Sequence, residues 1–133
     1  MHDYLPGMEV RLLPHQLIGV SWMVDQERNT PHKGGILADD MGLGKTVQMI
    51  ATMVMNQPSH EDQHDGWGKA VLIVVPAALL LQWKEELEAK TNGMWDVHIQ
   101  HGKDKIRDPE LLAEKDVCVC LLALSLCYEV PVR

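Results

Sequence analysis

Long runs of a single character are missing from this sequence. No cluster of lysines and arginines occurs in its 133 residues, and the formal net charge is −7. Bulk charge therefore does not draw the chain to nucleic acid, and any such contact has to be local. Nor is there a basic stretch that would serve as a nuclear address. Cysteine is scarce: Cys118, Cys120 and Cys127 are odd in number and crowded near the end. That is no secreted disulfide framework and suits a reducing compartment. Their C-x-C-x6-C spacing lacks paired C-x2-C hooks, so they read as small buried hydrophobes rather than zinc ligands. The longest apolar stretch, Val71 to Leu81, is too short to cross a bilayer and is broken by Pro76. Residues 1–8 contain no basic segment followed by an apolar one, so they are not expected to act as a signal peptide. The hydrophobic share of 46% calls for a packed core, and the length fits one small domain or part of a larger one.

Apolar residues at Leu13, Leu17, Val20 and Val24 place one stripe on a helix starting near Pro14 and ending before Asn29. Ile36-Leu37-Ala38, after Gly34-Gly35, reads as a strand, and Thr46 to Met55 as a helix stopped by Asn56-Gln57-Pro58. Residues 59–69 read as a solvent loop. Ala70 to Val75 is an unbroken apolar run without alternation, the pattern of a parallel strand buried on both faces. Leu79 to Lys90 follows as a helix with Leu79, Trp83 and Leu87 on one face. Asp96 to Gln100 is a further candidate strand. Asp108-Pro109-Glu110 is an N-cap with a first-turn proline, opening a short helix to about Lys115. Asp116 to Leu122 is a last strand. Alternating helices and strands imply an α/β domain with a mainly parallel sheet.

Between the first predicted strand and its helix lies Asp39-Asp40-Met41-Gly42-Leu43-Gly44-Lys45-Thr46. Gly42 and Gly44 permit turns that a side chain would obstruct, so successive amide N–H groups can converge on phosphate oxygens at the positive end of the new helix. Lys45 supplies a point charge for the β- and γ-phosphates of ATP, and the Thr46 hydroxyl is placed for magnesium. Asp39 stands where the general loop pattern has its first glycine, a departure that composition alone does not explain.

Taken together, Leu12 to Trp22 (with Pro14-His15-Gln16), Gly35 to Gln48, and Val71 to Leu87 with Pro76 and Gln82-Trp83 closely resemble the Swi/Snf-type helicase-like ATPases. That family carries an acidic pair before Met-Gly-Leu-Gly-Lys-Thr, usually Asp-Glu, so Asp39 is accommodated and Asp40 is a conservative departure. The resemblance implies a partial RecA-like (P-loop NTPase) fold, with 1–11 as a lead-in, 12–122 as part of the first lobe and 123–133 as a divergent tail. It implies that Gln16 reads adenine, a task its amide can perform with one donor and one acceptor. Residues 39–46 would then hold ATP and magnesium, and the turn after Pro76, with Gln82, would touch DNA phosphates. Trp83 is expected to pack rather than bind. It further implies double-stranded DNA or a nucleosome as partner, a chromatin-remodelling or DNA-repair role, and a nuclear location.

The chain departs from that family after Val117, where Cys120 and Leu121 occupy the usual threonine positions. The Asp-Glu-x-His box and the second lobe with its arginines do not occur in the 133 residues. The expectation is an ATP-binding fragment that does not hydrolyse ATP by itself and folds with poor stability. The alternative is a non-catalytic nucleotide-binding or interaction remnant of a truncated gene. His60-Glu61-Asp62-Gln63-His64 matches His-Glu-x-x-His, but Pro58-Ser59 and Asp65-Gly66 flank it and no apolar stripe supports a helix, so it is expected to be solvent loop. His98 and His101 are expected to face apart at a strand end.

Overall fold

The computed structural model describes residues 4–121. The chain forms two compact units, one of residues 4–57 with Ala89–Asn92 and the other of residues 58–88 with 93–121. No helix among the described residues is long and apolar enough to cross a membrane. The tail 123–133, with Cys127, and Leu122 lie outside the described residues.

The first unit is built on two helices, α1 (Pro14–Asn29) and α2 (Lys45–Met55). Pro14 starts α1, as its fixed φ and missing N–H allow. The Gln16 side chain accepts the Leu13 backbone N–H at 2.9 Å, satisfying a donor at the helix start. The buried face of α1 consists of Gln16, Val20 and Met23, rotated from the expected Leu13, Leu17, Val20 and Val24. Leu13 is 57% exposed. The reason is the amide of Gln16, which has polar partners inside, so a polar side chain holds a position that hydrophobicity assigns outward. On α2 the buried set is Gln48, Ile50, Ala51, Thr52 and Val54. Asn56 ends it by donating its N–H to the Thr52 carbonyl at 2.9 Å.

The expected strand at Ile36-Leu37-Ala38 is not formed. These residues have no ladder partner, and Ile36 is 84% exposed. A strand exists only through a neighbour's hydrogen bonds, which an apolar triplet cannot specify.

The second unit holds a three-stranded parallel sheet of β1 (Val71–Val75), β2 (Val97–Gln100) and β3 (Val117–Leu121), in the order β1-β3-β2. Val71 and Val97 both pair with Val117, so the three strands begin level. Central β3 is buried from Val117 through Cys120, and Cys118 and Cys120 lie there as small buried side chains. β1 is an edge strand with Val74 40% exposed, so burial on both faces belongs to β3 rather than to β1. The helix after β1 begins with a 3-10 turn at Ala77–Leu79 and continues as α4 (Leu80–Thr91). Its buried residues in this unit are Leu80 and Leu87, while Leu79 is 38% exposed. The early 3-10 turn advances each residue further round the axis, which turns Leu80 rather than Leu79 inward, while Leu87 is buried as expected. Trp83 is half-buried. The short helix α5 (Pro109–Ala113) starts as the sequence indicates, with the Asp108 carboxylate accepting the Glu110 N–H at 3.0 Å, and ends two residues before Lys115.

Residues 60–64 form the short helix α3 (His60–His64) rather than loop. The Ser59 hydroxyl accepts the Asp62 N–H at 3.1 Å and the Asp62 carboxylate accepts the Ser59 N–H at 2.7 Å. This reciprocal capping box needs no apolar stripe, and none of the five residues is buried. No group of three or more histidine, cysteine, aspartate or glutamate side chains among the described residues is arranged to hold a metal ion.

Candidate functional site

Everything from Asp39 to Thr46 lies in the first unit, where the chain turns into α2. Gly42 and Gly44 have φ of 83° and 81°, the left-handed region that ordinary residues avoid. Gly44 is also the N-cap of α2. A β-carbon there would stand 2.4 Å from the Gln16 amide nitrogen and 3.1 Å from Val47 Cγ1, so both backbone and space demand glycine. The Gln48 N–H bonds back to the Gly44 carbonyl at 3.2 Å. The N–H groups of Lys45, Thr46 and Val47 therefore have no acceptor within α2, and a helix start of this kind favours negative charge.

Two side chains from α1 grip the loop at one carbonyl. The Gln16 amide donates to Leu43 O at 3.1 Å, and His15 Nε2 lies 3.2 Å from the same oxygen. Gln16 is buried and uses both ends of its amide, one at the start of α1 and one on the loop. His15, in the first turn of α1, thus also contacts the loop. On the loop's entry side the Lys45 ammonium donates to the Asp39 carbonyl, and the Asp39 carboxylate accepts the Gln48 amide at 2.9 Å. Asp40 accepts the Leu43 N–H through its carbonyl at 3.4 Å. Met41 is 95% exposed, so it is no part of a buried shell. Thr46 is half-buried on the first turn of α2.

Pro76 and Gln82 both lie in the second unit and are both exposed. Pro76 leads directly out of the carboxyl end of β1, the side of an open parallel sheet where ligands bind.

The profile of the SNF2-related domain matches residues 15–124. This chain belongs to the SNF2-related family. Among its relatives, the ATP-dependent helicase rhp16 of Schizosaccharomyces pombe is 38% identical over 108 residues, covering 81% of this chain and 11% of that protein. The ATP-dependent helicase ULS1 of Saccharomyces cerevisiae is 51% identical over 83 residues, covering 62% of this chain and 5% of the relative. The SWI2/SNF2 ATPase core of Sulfolobus solfataricus, solved in complex with dsDNA, superposes with a TM-score of 0.67 at 28% identity, covering 91% of this chain and 24% of that one. This SNF2-related chain therefore has the RecA-like α/β fold of the N-terminal part of an SNF2 ATPase core, and it spans about a tenth or less of the two curated relatives.

Proposed function

We propose that this chain is the nucleotide-binding beginning of an SNF2-type DNA-dependent ATPase, with residues 39–46 holding the phosphates of ATP. The observation that carries the reading is the loop itself. Two left-handed glycines deliver Lys45 and Thr46 to a helix start, and Gln16 reaches the loop from α1. In this arrangement Lys45 leaves the Asp39 carbonyl for the β- and γ-phosphates, as an ammonium gains more from an anion than from a neutral oxygen. Gly42 and Gly44 keep side chains out of the way. Beyond its bonds to Leu13 and Leu43, the Gln16 amide keeps one N–H and one lone pair to offer adenine, and the Thr46 hydroxyl is a hard oxygen ligand of the kind magnesium prefers. Magnesium bound with ATP would neutralise phosphate charge.

Hydrolysis also requires an acid to hold the metal, a positioned water and compensation of developing charge. Asp-Glu-x-His does not occur in these 133 residues, so the chain is assigned binding without useful turnover. The test is titration of a fluorescent ATP analogue with magnesium into the 133-residue chain and its Lys45→Ala variant, alongside phosphate release. Saturable binding weakened about tenfold or more by the substitution, with no sustained release, is expected. Binding indifferent to Lys45→Ala defeats the phosphate-loop assignment, and steady turnover abolished by that change defeats the claim of incompleteness.

DNA is the second partner in this reading, supported by the dsDNA held by the solved Sulfolobus core and by the exposed Pro76 and Gln82. With a net charge of −7, bulk charge does not draw the chain to DNA, and contact has to be local to that turn. Fluorescence anisotropy with a labelled duplex at low salt is expected to show weak binding that Gln82→Ala lowers severalfold regardless of sequence. An unchanged isotherm removes Gln82 from the interface. Nuclear residence and a chromatin-remodelling or repair role follow from the same family reading.

A further inference from the structure

Gln48 is completely buried in the first unit, and its carboxamide is divided unequally. The nitrogen donates to Asp39 Oδ2 at 2.9 Å. The oxygen is buried without a hydrogen-bond partner. A buried carbonyl left unsatisfied is a cost that folded chains seldom carry without a compensating contact. Gly19 on α1 shows how closely this oxygen is enclosed: a β-carbon at that position would stand 2.0 Å from it. Any other residue at 19 would force the Gln48 carboxamide to shift from this seat. Meanwhile Asp39 presents its carboxylate to Gln48 and its carbonyl to the Lys45 ammonium.

We propose that Gln48 is a positioning residue for the phosphate loop: seated against Gly19, it fixes the Asp39 carboxylate, and through Asp39 it sets where Lys45 rests before phosphate arrives. The proposal rests on the nucleotide-binding reading of the loop and adds to it the reason an acid can replace the first glycine of the general pattern. The acid is tied by a buried amide from the helix that the loop opens. Gln48 touches no nucleotide in this scheme. The loop is thereby held from both sides, by Gln16 at Leu43 and by Gln48 at Asp39.

The test has two arms on the 133-residue chain. In the first, the Gln48 side-chain amide protons are followed by 15N NMR in the nucleotide-free protein. They are expected to exchange slowly and to lose protection in Asp39→Ala. Rapid exchange in the unmodified chain overturns the brace whether or not ATP binds. In the second, affinity for the fluorescent ATP analogue is compared for Gln48→Glu, Asp39→Asn and the double variant. Gln48→Glu sets two carboxylates together and is expected to weaken binding about tenfold. The double variant restores one donor facing one carboxylate with reversed polarity and is expected to return within about threefold of the unmodified chain. Additive losses overturn the proposal, as does a folded Gln48→Glu that binds normally. If Gln48→Glu does not fold, a double variant that folds and binds sustains the pairing, and one that also fails overturns it. A chain that binds no nucleotide at all defeats the phosphate-loop reading instead, and the exchange arm then decides the brace alone.

Discussion

Gly44 is the residue on which the site's local geometry turns, because three demands meet there: a left-handed backbone, the N-cap of α2 and contact with the Gln16 amide. Gly44→Ala has to place a methyl 2.4 Å from that nitrogen. Left-handed strain for a non-glycine residue costs about 1–2 kcal/mol, and displacing Gln16 also releases its bonds to Leu13 and Leu43. Thermal or urea unfolding of Gly44→Ala should show a loss of about 1–3 kcal/mol, with weaker nucleotide binding in whatever remains folded. A variant of unchanged stability would mean that the loop is free to take another path. This glycine is legible from its spacing to Lys45, whereas the clasp on Leu43 is not, because a carbonyl carries no identity in the sequence. Gln48 left one readable sign, a glutamine at the buried position three residues after Lys45, between apolar neighbours. A buried amide needs a partner, and Asp39 was the unexplained acid nearby in the chain.

At the scale of elements, the start of the parallel sheet is organised by Asp116. Its carboxylate accepts the Asp96 N–H at 2.9 Å and pairs with Lys69 at 3.1 Å, while its carbonyl accepts the Val71 N–H at 2.9 Å. One residue before β3 thus aligns the starts of β1 and β2, which is why the strands begin level. Burial would raise the pKa of this carboxyl, but the Asp96 N–H and the Lys69 ammonium outweigh it and hold the pKa below its usual value. A carboxylate whose folded pKa is depressed adds stability that is fully present above its unfolded pKa, roughly 4, and is lost as pH falls through the lower folded value. Asp116→Asn should therefore lower stability by about 0.5–1.5 kcal/mol at pH 7, and the gap between variant and parent should narrow progressively in paired urea titrations as pH falls below the unfolded value of about 4. A gap that persists at acid pH would assign the effect to packing. The strands themselves were legible because β-branched runs with flanking breakers have few other uses. Ile36 to Ala38 carried a similar composition without the partner that makes a strand, and the 3-10 turn before α4 turns Leu80 rather than Leu79 inward, which hydrophobic spacing does not register.

For the molecule as a whole, two opposing quantities decide how it behaves in solution. Large apolar side chains stand open, among them Ile18 at 72%, Ile36 at 84% and Leu81 at 68% exposure, and β1 and β2 form the two sides of the described sheet, where unpaired backbone groups invite other strands. Against this stands the net charge of −7 at pH 7, which keeps like molecules apart over a Debye length of about 8 Å at physiological salt. Repulsion vanishes near the isoelectric point of about 5.4 and is screened at about 1 M salt, where the Debye length shrinks to about 3 Å. Apolar attraction is not weakened by either change. Self-association is therefore expected to rise steeply from pH 8 towards pH 5.4 and with added salt at fixed pH, together with a low melting transition. Sedimentation velocity across that pH and salt grid measures it directly. A monodisperse monomer under every condition, unfolding cooperatively, would show that the exposed apolar groups are too dispersed to recruit one another, and would leave charge with no part in keeping the chain soluble.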